Sequence, residues 1–151
     1  MKEVETISST IKLIVFKLKE KEYAIKVNEV LSIEKVNHIT RVPGTEKFVK
    51  GVINLRGIVV PIIDLRSRFD LEEASYNENT RVIIAVMNEI EVGLVVDSAN
   101  DVIDIPEDAL EPSPEVIGAE VADYIQAVAK LDSRLLILID LDKVLAIEEA
   151  S

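Results

Sequence analysis

The sequence predicts a mainly β protein built as two small barrel-like halves. Three observations carry that prediction: short apolar runs separated by turn signals, an aliphatic β-branched interior, and one hairpin pattern that occurs twice. The chain has 151 residues, 48% of them hydrophobic, with no Trp, three Tyr and three Phe. Its interior must therefore be aliphatic, and Val and Ile favour pleated surfaces because branching at Cβ stiffens χ1. A chain of this length fits one domain, or two half-domains sharing a core.

Ile11–Leu18 reads as a strand, followed by the charged turn Lys19-Glu20-Lys21-Glu22 and a second strand over Tyr23–Val27. Asn28–Ile33 fits either a single helical turn or a bulged strand, since Val27, Val30, Leu31 and Ile33 suit both periods. Thr40–Pro43 is extended, because a residue before proline avoids the helical region. Phe48–Leu55 and Ile58–Leu65 form a hairpin about Arg56-Gly57, after which Asp64 caps a short helix through Phe69. Beyond the polar link Asp70–Asn79, Arg81–Met87 and Glu91–Val96 pair about Asn88-Glu89-Ile90. Asp101–Ile105 alternates acid and aliphatic, and Pro106, Pro112 and Pro114 punctuate an acidic loop region. Ala127–Leu131 and Leu135–Ile139 form the last hairpin, and Asp140 caps a terminal helix through Ile147. About ten short strands with few helices is the pattern of sandwiches and barrels.

The repeat strengthens that reading. Displaced by 76 residues, Val52–Leu65 lies ungapped on Val128–Leu141, with Val52/Val128, Leu55/Leu131, Ile63/Ile139, Asp64/Asp140 and Leu65/Leu141 identical. Both copies run strand, polar tip, strand, Asp-Leu, helix, so a helix cap is shared as well as a hydrophobic pattern. Two similar half-units follow, each a small β-barrel.

Composition removes several classes of function. A net charge of −11 opposes nucleic acid and anionic lipid alike, both of which need a basic face. The charge is uneven: residues 1–81 hold 14 Lys and Arg against 12 acids, residues 82–151 hold 3 against 16. Two surfaces that meet different partners would show such a split. Without cysteine there is neither a disulfide framework nor a thiolate metal site. Apolar runs such as Ile58–Ile63 and Leu135–Ile139 fall far short of the ~20 residues that span a bilayer, and Met1–Thr10 lacks a signal peptide's apolar region. A cytoplasmic location is expected.

Catalytic inventory is poor. His38, the one histidine, sits in a loop pattern and suits a surface position, so no Ser-His-Asp or Cys-His set can be assembled. Phosphate-binding glycine motifs are absent. Asp97, Asn100, Asp101 and Asp104 lack the alternating spacing of a calcium loop and its distal glutamate. No catalytic residue, metal ligand or cofactor is expected, and a hydrolase using paired carboxylates such as Asp97 and Asp101 is the enzyme alternative.

What stands out is Gly51–Phe69. Ile58–Ile63 is apolar on both faces of its strand, so both faces must be covered, by burial between the half-barrels or by a partner. Pro61 has no N–H to donate, which places it at an edge or a bulge. Gly57 supplies the positive φ of a tight turn at the tip Asn54-Leu55-Arg56-Gly57, and Arg56 projects a guanidinium suited to a carboxylate.

Gly51-Val-Ile-Asn-Leu-Arg-Gly-Ile-Val-Val-Pro-Ile-Ile-Asp-Leu-Arg66 resembles the signature of the CheW family, the coupling proteins of bacterial chemotaxis. Glu22-Tyr23-Ala24-Ile25, Ile39–Pro43, Asn77–Thr80, Val92–Asp97 and Arg134–Asp140 extend the resemblance to about Leu13–Leu145. It implies two five-stranded SH3-like β-barrels on a shared hydrophobic core, with a few short helices. One domain is expected over 8–147, divided at about 15–82 and 83–147 plus the N-terminal strand. It further implies a non-catalytic adaptor between the regulatory domain of the histidine kinase CheA and the cytoplasmic tips of methyl-accepting chemotaxis receptors, recruited to receptor arrays, without a cofactor. Val30, Ile33 and Val102 fall where the family lines a receptor groove, and Gly51, a groove candidate with them, falls where bulk is poorly tolerated. Arg56, with Asn54 and Gly57, falls where an arginine serves coupling and the kinase interface. Many members carry a glutamate where this chain has Ser32, leaving Glu34 or Glu29 to pair with Arg56; Glu34 is expected on one strand face with Ser32 and Val30. A CheV-type adaptor lacking its receiver domain is the related alternative.

Overall fold

A computed structural model describes residues 9–112 and 123–146. Pro114, the helix end expected at Ile147 and the domain limits expected at 8 and 147 lie outside the described residues, as does most of Met1–Thr10. In chain order the strands are β1 Thr10–Leu18, β2 Lys21–Lys26, β3 Val30–Lys35, β4 Val49–Leu55, β5 Ile58–Asp64, β6 Arg81–Met87, β7 Ile90–Val96, β8 Ser98–Pro106, β9 Leu110–Glu111, β10 Ile125–Leu131 and β11 Arg134–Ile139. Two short helices, α1 Leu65–Arg68 and α2 Leu141–Leu145, follow β5 and β11. Val27–Glu29 forms a 3₁₀ turn and β3 is a bulged strand, so both readings of Asn28–Ile33 hold in succession.

The strands form two sheets, ordered β3-β6-β7-β5-β4 and β8-β1-β2-β11-β10-β9. The first, with the segment that follows β3, is called barrel 1 and the second barrel 2; their faces carry the SH3-like architecture. The sheets do not divide at 82/83, since β6 runs unbroken across that point. Barrel 1 takes β3 to β7, and the whole N-terminal hairpin β1–β2 joins barrel 2. Lys12, Lys17, Lys21 and Lys26 of that hairpin therefore fold against the acidic half, so the charge split in sequence does not follow the barrels.

The 76-residue repeat is real in three dimensions. Hairpin β4–β5 and hairpin β10–β11 each end in a short helix, and β5 and β11 each run parallel to a strand of another hairpin, β7 and β2. Even the irregularities repeat: β4–β5 shifts register between Val49 and Gly51, and β10–β11 between Ile125 and Ala127. Both helices are capped as expected. Asp64 accepts from the Arg66 and Ser67 amides, and Asp140 accepts from the Lys143 amide at 3.3 Å.

Each sheet buries both faces. Ile53, Val60, Ile62, Val82, Ile84 and Val95 fill barrel 1, and Leu13, Val15, Ala24, Ile105, Ala129, Leu136 and Leu138 fill barrel 2. Between them lies the largest cluster, including Phe16, Tyr23, Phe69, Ile83, Leu94 and Ile137. Phe16, Tyr23, Phe69 and Tyr124 form a chain of aromatic contacts through it, with centroids 5.1–5.9 Å apart. The doubly apolar run of β5 is thus split: Val60 and Ile62 face the barrel interior and Ile63 faces the shared core, while Val59 stays 64% exposed. Pro61 is neither on an edge strand nor the bulged residue, since β5 lies between β4 and β7. It is tolerated because the parallel ladder to β7 begins only at Ile62, so no strand claims the missing N–H.

Candidate functional site

The β4–β5 turn places Arg56 at φ 55° and Gly57 at φ 82°. Positive φ at both central residues gives a turn whose twist matches its strands, and the Gly57 amide donates to Asn54 Oδ1 at 3.1 Å to lock it. Asn54 and Gly57 therefore shape the tip, and Arg56 is the side chain it presents. Its guanidinium lies between two carboxylates, Nη1 3.9 Å from Glu34 Oε2 and Nη2 4.0 Å from Glu91 Oε1. These are ion-pair distances too long for hydrogen bonds.

This arrangement resolves the choice between Glu34 and Glu29. Glu29 sits in the 3₁₀ turn, where burial pushes its carboxyl up and Lys26, Asp140 and Asp142 are its charged surroundings. Glu34 accepts from the Ser32 hydroxyl at 2.9 Å, so Ser32 supports the pairing carboxylate rather than leaving a gap. The face expected for Val30 is corrected. Val30 pairs with Ala85, Ser32 with Ile84 and Ile33 with Ile83, because the chain bulges at Leu31. Ala85 and Ile83 belong to the shared core and Ile84 to the barrel interior. The bulge thus turns Val30 and Ile33 to the seam between the barrels, and leaves Ser32 and Glu34 on the opposite face.

Val102 pairs with Ile14, a shared-core residue, so it too lies on the seam face of its sheet. β3 and β8 are edge strands of their respective sheets. On them Ile33 is 39% and Val102 55% exposed, while Val30 packs against the shared core. Gly51 is placed elsewhere, buried on β4 beneath the Thr40 backbone and the Ile39 side chain.

Two arginines of α1 were not singled out by the sequence as ties between barrels. Arg66 donates to Asp97 through Nε at 2.8 Å and Nη2 at 2.5 Å, and to the Glu72 carbonyl through Nη1. That hydrogen bonding holds the Arg66 pKa above its ordinary value. Asp97 joins β7 to β8, and it also accepts from the Lys19 amide of the β1–β2 turn at 2.7 Å. Arg68 lies over the Phe48 ring and the Tyr124 ring, its guanidinium carbon 4.4 and 4.8 Å from their centroids. Its Nε donates to the Val144 carbonyl at 2.7 Å, and Nη2 to the Ala146 carbonyl at 2.5 Å. Val144 is 76 positions from Arg68, so the repeat offset held the signal: the two capped helices meet across the pseudo-symmetry between the barrels.

The acids weighed for catalysis are dispersed. Asp97 is engaged by Arg66, Asp104 pairs with Lys12, and Asp101 lies exposed 3.6 Å from Arg134. Among the described residues no group of three or more metal-ligating side chains comes together.

The CheW-like domain family matches residues 12–149. The chain is 48% identical to the chemotaxis protein CheW of Bacillus subtilis, over 89% of this chain and 86% of that protein. It is 40% identical to the chemotaxis protein CheW of Klebsiella aerogenes, over 90% of this chain and 82% of that one. The crystal structure of the scaffolding protein TtCheW from Thermoanaerobacter tengcongensis superimposes with a TM-score of 0.86 at 32% identity, covering 92% of this chain and 94% of that one.

Proposed function

Because the chain belongs to the CheW-like domain family, we propose that this non-catalytic chemotaxis adaptor joins the regulatory domain of the histidine kinase CheA to the cytoplasmic tips of methyl-accepting receptors. The observation that carries the receptor half is the pair of large aliphatic side chains, Ile33 and Val102, left exposed on two edge strands that face one seam. An amphipathic helical hairpin buries its apolar stripe in such a furrow, reading aliphatic anchors on either wall. The kinase half rests on the β4–β5 tip, where Arg56 stands beside the exposed Ile58 and Val59. No helix among the described residues is long and apolar enough to cross a membrane, and the proposed place of action is the cytoplasmic face of receptor arrays.

Pull-down with the kinase regulatory domain tests the reading: no binding at tens of micromolar by the folded protein would remove it. Val102→Asp is expected to weaken binding of receptor fragments about tenfold or more, since it sets a charge in an apolar contact. Binding of the kinase domain should be unchanged, and equal receptor affinity would place the furrow elsewhere. Arg56→Ala is expected to weaken coupling while shifting stability by under about 0.5 kcal/mol, as exposed tip substitutions do. A large drop in melting temperature would make Arg56 a structural residue.

A further inference from the structure

We propose that Glu91 is a positioning residue for Arg56, holding its guanidinium jointly with Glu34. The inference rests on reading Arg56 as the coupling residue, and it deepens that reading by naming what presents the arginine. Glu91 belongs to β7 and Glu34 to β3, two strands separated in the sheet by β6. Glu34 pairs with Val82, and Val82 with Val95, both of the barrel 1 interior. Side chains alternate along β7, so Glu91 shares the interior face with Val95. Two carboxylates are thereby brought to one barrel's inner face from positions 57 residues apart in sequence. Their side chains are mostly buried, 18% exposed for Glu91 and 29% for Glu34, whereas Arg56 is 52% exposed.

Glu91 Oε1 is itself buried and accepts no hydrogen bond. A buried carboxylate oxygen without a donor is costly, and a cation is what offsets that cost. Arg56 Nη2 is the cationic group placed near this same oxygen, and Nη1 of the same fork lies near Glu34. The left-handed backbone of Arg56 and the Asn54–Gly57 bond fix where the side chain starts. The two carboxylates fix where it ends. Arg56 is thus held across the barrel with part of its fork open to solvent, so a partner meets an arginine whose orientation is already set. Pre-orientation of this kind lowers the rotamer entropy lost on binding.

The test uses the full chain labelled with ¹⁵N. The {¹H}-¹⁵N heteronuclear NOE at Arg56 Nε is measured in the wild type, Glu91→Gln and Glu34→Gln. The Kd for the kinase regulatory domain is measured for wild type, Arg56→Ala, Glu91→Gln and the Arg56→Ala/Glu91→Gln double variant. Glu91→Gln keeps side-chain shape, so the fold is retained, and Glu34→Gln repeats the test on the more exposed carboxylate. The expected result is a lowered NOE in both single Gln variants, and a Kd weakened about three- to tenfold by Glu91→Gln but no further weakened in the Arg56→Ala background. An unchanged NOE, or a Glu91→Gln loss that simply adds to that of Arg56→Ala, overturns the positioning role. If Arg56→Ala leaves binding intact, the coupling reading of Arg56 falls, and the NOE alone decides whether Glu91 positions the side chain.

Discussion

Gly51→Ala is expected to destabilise the protein by about 3–5 kcal/mol, read as a lowered midpoint of chemical denaturation. Gly51 has φ +142°, a region that residues with a Cβ rarely occupy. A Cβ there would overlap the Thr40 carbonyl oxygen and come within 2.8 Å of the Thr40 carbonyl carbon and 2.9 Å of Ile39 Cγ2. The two tightest contacts are with Thr40 backbone, so a rotation of the Ile39 side chain alone cannot make room. The nearest hydrogen bonds are the reciprocal pair between Thr40 and Val52, both at 2.9 Å, which tie the segment after β3 to β4. Moving Thr40 to admit the methyl breaks that pair and disturbs Ile39, which packs on the barrel 1 core. An unchanged midpoint would show that the segment yields freely, and would leave Gly51 to be explained by partner contact alone.

Arg68→Ala is expected to cost about 2–4 kcal/mol, from two lost cation–π contacts and the charge-assisted bonds to carbonyls at and just past the end of α2. A cation there also satisfies orphan carbonyls and the negative end of the helix. Since Phe48 belongs to barrel 1 and Tyr124 leads into β10 of barrel 2, the loss loosens one barrel against the other. Arg68→Lys should recover only part of the stability, because an ammonium neither stacks between two rings nor spans the Val144 and Ala146 carbonyls. Amide exchange gives the local readout: the Val144 amide, bonded to the Asp140 carbonyl at 2.9 Å, should exchange faster in Arg68→Ala. Equal protection in variant and wild type would show that α2 is held by Leu141 and Val144 burial without the arginine.

Both effects bear on the proposed receptor contact through the seam. Arg66–Asp97–Lys19 and Arg68–Val144 each join a barrel 1 helix to barrel 2, and the seam between the barrels is where Ile33 and Val102 stand exposed. A variant that loosens either tie leaves Ile33 and Val102 intact but alters the spacing between them. Receptor-fragment binding and stability should therefore fall together in Arg68→Ala, whereas Val102→Asp separates them.

By itself the sequence determined the local elements and the family. Alternating aliphatic runs place the strands to within a few residues, because one face or both must be buried. Asp64 and Asp140 mark the helix starts because their carboxylates suit the open amides of a first turn. The 76-residue offset was legible down to its hairpin and cap, and the tip Asn54-Leu55-Arg56-Gly57 announced its turn through glycine. Only the tertiary structure decided which hairpin completes which barrel, since β1–β2 reaches β8 and β11 through pairings that no local pattern encodes. It alone decided that a bulge at Leu31 turns Val30 and Ile33 to one face, because a register shift of one residue inverts every side chain beyond it. And it alone brought Glu91 to Arg56, since an ion pair between neighbouring strands depends on sheet order and facing, not on separation in the chain.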